Sequence, residues 1–187
     1  MTKPSGFVAL ASVWLSLLMG CAVQDPSTTA AESLFQQTLG NQPGLTEIAT
    51  EALPPLRQGQ VIYVPIYSEV YDFNQERTFQ ITATLSLRNT DLSHPIVIET
   101  VDYYNSAGEK IRSYLDQPIQ LAPLASFEVV VPKDDQTGGV GANFIVSWRA
   151  ADAVSDPVIE AIMISTISQQ GISFLSSGRV IQERSGE

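Results

Sequence analysis

Apolar and polar residues alternate along segment 78–88, and this pattern predicts a β-strand with one buried face. Phe79, Ile81 and Leu85 fall on one side of such a strand, while threonines, serine and Arg88 fall on the other. A period of two is typical of a strand that packs on a core with one face and meets water with the other. The segment is therefore predicted to belong to an antiparallel sheet.

A β-hairpin is predicted directly after this strand. Residues 96–104 and 109–115 are rich in β-branched and aromatic side chains, and the turn residues 105–108 separate them. The apolar alternation of the first strand slips between Ile98 and Val101. One extra residue in a strand produces such a slip, so the sequence predicts a β-bulge at this point.

Two later runs contribute to the predicted core. Trp148 alternates with Phe144 and Val146, which places all three on the inward face of one strand. The run 158–167 follows an Asp-Pro pair that often begins a helix. Its many β-branched residues favour instead a central strand that is covered on both faces.

The pattern as a whole predicts an all-β fold. About seven to nine short strands are separated by turn signals, with no alternation of strands and helices. An antiparallel β-sandwich of immunoglobulin-like or fibronectin-like type fits this pattern. A small closed barrel is the alternative.

The amino terminus has the layout of a signal peptide. Lys3 precedes fourteen uncharged residues, 7–20, and a polar segment follows. The run is shorter than the roughly 20 apolar residues that span a membrane. It ends in Leu18-Met19-Gly20-Cys21, which resembles the lipobox of bacterial lipoproteins, although the lipobox more often has a small residue where Met19 stands.

The lipobox resemblance implies a specific modification of Cys21. The thiol would receive a diacylglyceryl group, cleavage would follow Gly20, and the new amino group would take a further acyl chain such as palmitate. Two or more acyl chains hold a protein firmly on a bilayer. An ordinary secretory signal with a chance cysteine is the alternative, but this is the chain's sole Cys and it stands where lipidation needs it.

Three regions follow from this organisation. Residues 1–20 are the predicted lipoprotein signal peptide, residues 21–58 the lipidated cysteine with a tether, and residues 59–187 the β-sandwich domain. The tether is rich in Gln, Thr, Pro and Ala. A short helix over 30–39 is predicted inside it from a capping-box spacing and a closing glycine.

Composition excludes several classes of function. The chain has 187 residues with 20 acidic and 10 basic side chains, a net charge of -10. Such a chain lacks the positive charge that binds nucleic acid. One Cys and one His do not make a zinc or multi-histidine centre, so no metal and no cofactor is predicted.

Three local features invite a site assignment and have simpler explanations. Residues 138–141 read Gly-Gly-Val-Gly, but the lysine and helix of a phosphate loop do not follow, so a flexible hairpin turn is predicted. Asp134 and Asp135 lack the spacing of a calcium loop and are interpreted as a solvated acidic loop. His94 is interpreted as a turn histidine.

The candidate partner-binding face lies on the predicted hairpin. Asp102, Tyr104, Arg112 and Tyr114 would cluster there if its strands pair across the turn. Aromatic residues and arginine are enriched in protein interfaces. The alternative is a cross-strand ion pair with ordinary tyrosine packing.

Several phrases of the chain together resemble one bacterial family, the domain of unknown function 3124. They read VIYVPIYSEVY, TLSLRNTD, VDYYNSAGEKIRSYLDQPIQLAPLAS, GANFIVSWRA and VIEAIMISTISQQGISFLSSGRVI, and they span about Gly59 to Gln182. Many members carry an export signal or lipobox, and cyanobacteria hold many of them. The resemblance implies no activity and no catalytic residues.

The preferred functional prediction is a lipid-anchored, non-enzymatic module of the bacterial envelope, facing the periplasm or the cell surface. Its predicted partners are the membrane, through the lipid on Cys21, and another envelope protein. The alternative is an envelope hydrolase that acts on a sugar or peptide through two of the 20 carboxylates. No particular catalytic pair stands out in the sequence.

Overall fold

The structure is a computed structural model that describes residues 42–73, 76–166 and 171–186, all within one compact unit of the chain. The predicted signal peptide, Cys21 and the predicted helix 30–39 lie outside these residues. Within the described ranges no helix is long and apolar enough to cross a membrane.

Thirteen β-strands make up the described part, together with two short 3-10 turns at 50–52 and 139–141. The strands are β1 (Leu45–Glu47), β2 (Gln58–Pro65), β3 (Glu69–Tyr71), β4 (Thr78–Gln80), β5 (Thr82–Arg88), β6 (Ile96–Tyr104), β7 (Lys110–Ser113), β8 (Ile119–Leu121), β9 (Ser126–Val131), β10 (Asn143–Ala150), β11 (Val158–Ser165), β12 (Ile172–Ser177) and β13 (Arg179–Ser185).

The strands form two main antiparallel sheets. The larger has the order β1-β8-β6-β10-β2-β13, with β7 also paired to β6, and the smaller has the order β12-β11-β5-β9. β3 and β4 make a separate two-stranded sheet. Neither main sheet closes on itself in the described ranges. The all-β antiparallel sandwich is therefore confirmed, and the closed barrel is not formed.

The core lies between the inner faces of the two sheets. Trp148 is 1% exposed, and Phe144 and Val146 beside it on β10 are fully buried, which confirms the predicted inward face. The smaller sheet contributes a second fully buried row: Ala83, Leu85, Leu87, Phe127, Val129, Val131, Ala161 and Met163. Ile81, directly before β5, is fully buried as well. Alternation at period two thus identified the core side of β5 and β10.

The predicted bulge in β6 is present. Ser147 of β10 pairs with Thr100, whereas the next residue, Trp148, pairs with Ile98. Glu99 is the extra residue, and its carboxylate accepts a hydrogen bond from the Ser147 hydroxyl at 3.0 Å. The bulge restores the inward direction of the apolar side chains on both sides of it.

Segment 158–167 was predicted as a strand with both faces covered, and only the first half of that prediction is confirmed. β11 is a strand between β12 and β5. Its outward residues Ile162 and Ile164 are 38% and 43% exposed. The prediction of two covered faces is wrong because β-branched content marks a strand but does not report what lies above it.

The end of the predicted tether is part of the larger sheet. β1 pairs with β8, with Leu45 opposite Leu121, and the Ile48 amide donates to the Pro118 carbonyl at 2.9 Å. A three-residue strand is too short to show alternation. The sequence therefore gave no sign of it.

Candidate functional site

The register of the β6–β7 hairpin separates the four predicted site residues into two pairs. Asp102 lies opposite Ser113, and Tyr103 lies opposite Arg112. Residues that face each other share one side of a sheet, and neighbours along a strand alternate. Asp102 and Tyr104 therefore lie on the outer face, and Arg112 lies on the inner face with the fully buried Tyr103.

The inner face of the hairpin is built around Arg112. Its guanidinium lies over the rings of Tyr103 and Tyr114, 5.9 and 5.7 Å from their centroids. Its Nη2 atom also contacts Oδ2 of Asp135 at 2.6 Å. The Asp135 side chain is only 7% exposed, so this ion pair is screened less by water than a surface pair. Stacking and pairing together fix the hairpin against the β9–β10 loop.

Both tyrosines beside Arg112 are neutral at physiological pH. Burial raises the pKa of Tyr103, and burial likewise raises the pKa of Tyr114 to about 12. The Tyr103 hydroxyl shares a hydrogen bond of 2.8 Å with the Ser68 hydroxyl, and the Tyr114 ring packs 5.7 Å from Phe144. These phenols stabilise the hairpin and are not poised as proton acceptors.

The glycine-rich loop is held in place on this cluster. The amide of Gly141 donates to the Ser106 hydroxyl oxygen at 2.8 Å, and that hydroxyl donates to the Gly138 carbonyl at 3.0 Å. A Cβ at Gly138 would overlap the Tyr103 hydroxyl, so only glycine fits there. The predicted hairpin turn is wrong, because the loop joins β9 of the smaller sheet to β10 of the larger sheet and is held by tertiary contacts.

Asp135 also departs from its prediction as a solvated acid. Besides its pairing with Arg112, its Oδ1 atom accepts hydrogen bonds from the amide and the hydroxyl of Thr137. Asp134 next to it is exposed. One of the two acids is thus a structural anchor of the loop, and the other is solvated as predicted.

The outer face of the hairpin presents different chemistry. Asp102 accepts a hydrogen bond from Ser113 at 2.6 Å and lies 3.5 Å from the Lys110 ammonium. Tyr104 lies opposite Lys110 and is partly exposed. The cross-strand ion pair of the alternative interpretation is formed, but with Lys110 rather than with Arg112. A carboxylate, an ammonium and an aromatic ring are instead presented together; we call Asp102, Tyr104, Lys110 and Ser113 the outer hairpin patch.

The sequence missed two residues of these clusters for different reasons. Lys110 was not predicted as a neighbour of Tyr104, because the pairing of β6 with β7 shifts by one residue between Tyr103 and Tyr104. Asp135 lies in a loop 23 positions beyond Arg112. No periodicity connects a loop acid with a strand arginine, so sequence spacing held no signal for it.

His94 occupies an exposed turn, as predicted, and this turn is organised by Asp91. The Asp91 carboxylate accepts hydrogen bonds from the backbone amides of Ser93, His94 and Ser155 at 2.9, 2.8 and 3.1 Å. These bonds lower the pKa of Asp91 to about 2. The carboxylate joins two neighbouring loops and has a structural role.

We predict a specific acid sensitivity from Asp91. Its pKa is lowered on folding, so its stabilising contribution is complete above its usual value of 3.8 and is lost as the pH falls towards 2. The urea midpoint of the parent should exceed that of Asp91→Asn at neutral pH, and the gap should close between about pH 4 and pH 2. A gap that is unchanged over this range would contradict the assignment.

Carboxylates elsewhere in the described ranges also serve structural partners. Glu99 accepts from Arg184 at 2.7 Å as well as from Ser147, and no group of three or more His, Cys, Asp or Glu side chains is placed to hold a metal ion there. We therefore take the outer hairpin patch as the candidate site. It contains two of the predicted residues, Asp102 and Tyr104, on one partly exposed face.

The two main antiparallel sheets define this chain as an all-β sandwich module, with a hairpin that is fixed on its inner side and open on its outer side. The chain belongs to the family described as protein of unknown function (DUF3124), which matches residues 59–181. The match confirms the family that the sequence phrases resembled.

Comparisons with curated proteins and with solved structures add no information on function. None of the curated proteins matches the chain. A crystal structure titled Thermotoga maritima 1070 is similar with a TM-score of 0.40 and 7% identity, over 72% of this chain and 100% of that chain. This likeness is too distant to bear on fold or function.

Proposed function

We propose that this protein is a lipid-anchored module of the bacterial envelope that binds another envelope protein through the outer hairpin patch. It faces the periplasm or the cell surface and catalyses no reaction. The anchoring half of the proposal rests on the sequence at Cys21. The binding half rests on the geometry of the β6–β7 hairpin.

The observation that carries the binding proposal is the difference between the two faces of the hairpin. The inner face is fixed by the Arg112–Asp135 pair and by two buried tyrosine rings. The outer face leaves Tyr104 partly exposed beside Lys110 and Asp102. A rigid backbone that presents a tyrosine and charged groups lowers the entropic cost of binding.

Lipid anchoring complements such a surface. The net charge of -10 would repel the chain from anionic lipid surfaces, so acyl chains rather than a basic patch supply membrane attachment in this proposal. The module then meets its protein partner in the plane of the membrane.

Tyr104→Ala tests the binding proposal. We expect it to weaken co-purification of the envelope partner at least about tenfold, which is about 1.4 kcal/mol, because a tyrosine anchor is lost. The melting temperature should change little, since this side chain lies on the outer face. Quantitative mass spectrometry of proteins that co-purify from solubilised envelopes measures the first effect.

Two further variants control this experiment. Tyr71→Ala removes a tyrosine that is 58% exposed on β3, outside the hairpin, and should leave co-purification unchanged. Arg112→Ala should lower the melting temperature, because it leaves the largely covered Asp135 carboxylate without its cation. Equal effects of Tyr104→Ala and Tyr71→Ala on co-purification would contradict the proposal.

A further inference from the structure

A groove at one edge of the larger sheet gathers positive charge in an otherwise acidic chain. It has a volume of about 790 Å³ and is lined by Arg57, Arg149 and Arg184, together with Glu183 and Leu56. The whole sequence holds 10 basic residues against 20 acidic ones. The groove therefore has three arginines in its lining, although acidic residues outnumber basic ones twofold in the chain as a whole.

Strand register brings two of these arginines together. Arg149 of β10 and Arg184 of β13 both pair with Gly59 of β2, one from each side. A Cβ at Gly59 would come within 2.6 Å of the Arg149 Cγ atom. The glycine thus leaves room for the Arg149 side chain to lie across the middle strand.

The guanidinium groups are held by few protein acceptors. Arg149 Nη2 donates to the Leu56 carbonyl at 2.6 Å, but its buried Nε atom has no acceptor among the described residues. Arg184 Nη1 pairs with Glu99 at 2.7 Å. Arg57 is exposed, and its side chain makes no hydrogen bond or ion pair within the described ranges. The Arg149 Nε atom is covered, but the side chains of Arg57 and Arg184 are open to solvent, so their guanidinium N–H groups are available to an anion in the groove.

We propose that this groove binds a phosphate group. Guanidinium groups bind phosphate oxygens through paired, charge-assisted hydrogen bonds, and a tetrahedral phosphate accepts them from several directions at once. A soluble phosphate ester and a phospholipid headgroup share this chemistry. Glu183 also lines the groove, but its carboxylate accepts from Gln60 at 3.3 Å, and Gln60 lies with Trp148 on the inner side of the sheet. The acid therefore points away from Arg149 and Arg184.

The groove and the outer hairpin patch are separate sites. Tyr104 pairs with Asn143 at the start of β10, whereas Arg149 lies near the end of the same strand. Six residues of extended strand span about 20 Å. Failure of one proposal therefore leaves the other standing.

Calorimetric titration of the full chain with inorganic phosphate at low salt tests the site. The parent should bind phosphate, and Arg57→Gln should weaken binding about tenfold because one charged donor is lost. Arg179→Gln is the matched control, since it removes an exposed arginine of β13 outside the groove lining and should not change the affinity. Absence of binding by the parent, or equal weakening by both variants, would overturn the proposal.

Glu183→Gln is a second control. Its carboxylate lies on the opposite side of β13 from Arg184, so the variant should change the phosphate affinity far less than Arg57→Gln does. An effect as large as that of Arg57→Gln would count against the site. Titration with glycerol 3-phosphate and with soluble short-chain phosphatidylglycerol then distinguishes the sources: tighter binding of the first supports a soluble ester, and tighter binding of the second supports a lipid headgroup.

Discussion

Trp148→Ala is expected to lower the free energy of unfolding by about 3 to 5 kcal/mol. The indole is 1% exposed, and its Nε1 atom donates to the Gln60 side-chain oxygen at 3.2 Å. Truncation leaves a large cavity between the sheets and deprives a buried oxygen of its donor. A loss of this size is a large share of the stability of an ordinary domain. Urea denaturation of the two proteins measures it.

Ile162→Ala is the control for this prediction. Ile162 also lies on a central strand but is 38% exposed on the outer face of the smaller sheet. Its truncation should cost less than about 1.5 kcal/mol, because little buried surface is lost. Equal urea midpoints for Trp148→Ala and the parent would contradict the assignment of Trp148 to the core.

Cys21→Ser is expected to abolish both lipid labelling and membrane retention. This cysteine is the chain's sole thiol, and serine does not form the thioether that the lipobox resemblance implies. Incorporation of labelled palmitate and fractionation of cells measure the two effects. The loss should be complete rather than partial, because the proposed anchor depends on this one sulfur atom.

Met19→Ala is the matched variant for the anchor. It places a small residue at the position where the lipobox more often has one, and it should retain labelling and membrane attachment. Labelled fatty acid on the Cys21→Ser protein, or its continued retention in washed membranes, would contradict lipidation at Cys21.

Sequence alternation predicted the parts of this fold that bury one face of a strand. The inward rows on β5 and β10 and the bulge in β6 all follow from period two and its interruption. Strand β1 was not predicted, because three residues carry no period. The exposed outer face of β11 was not predicted either, because it depends on which neighbours cover a sheet.

The candidate site could be predicted only in part, because it too depends on strand neighbours and tertiary contacts. A hairpin with Asp102, Tyr104 and Arg112 was expected, and the hairpin formed. A register shift beside Tyr104 separated these residues onto two faces and put Lys110 next to the tyrosine. The Arg112–Asp135 pair joins a strand to a distant loop, and only the tertiary fold brings such groups together. The local sequence pattern thus predicts the strands. Which side chains meet at the site depends on the register of those strands and on how the loops pack against them.

Photo-crosslinking in intact cells tests the central claim of partner binding most directly. A photoreactive phenylalanine analogue is placed at Tyr104 and, as the control, at Glu128, an exposed position of β9 on the other sheet. Binding through the hairpin predicts an adduct with one envelope protein from position 104 that is absent from position 128. Identical adducts from both positions, or recovery of lipid and the chain itself alone from position 104, would contradict it.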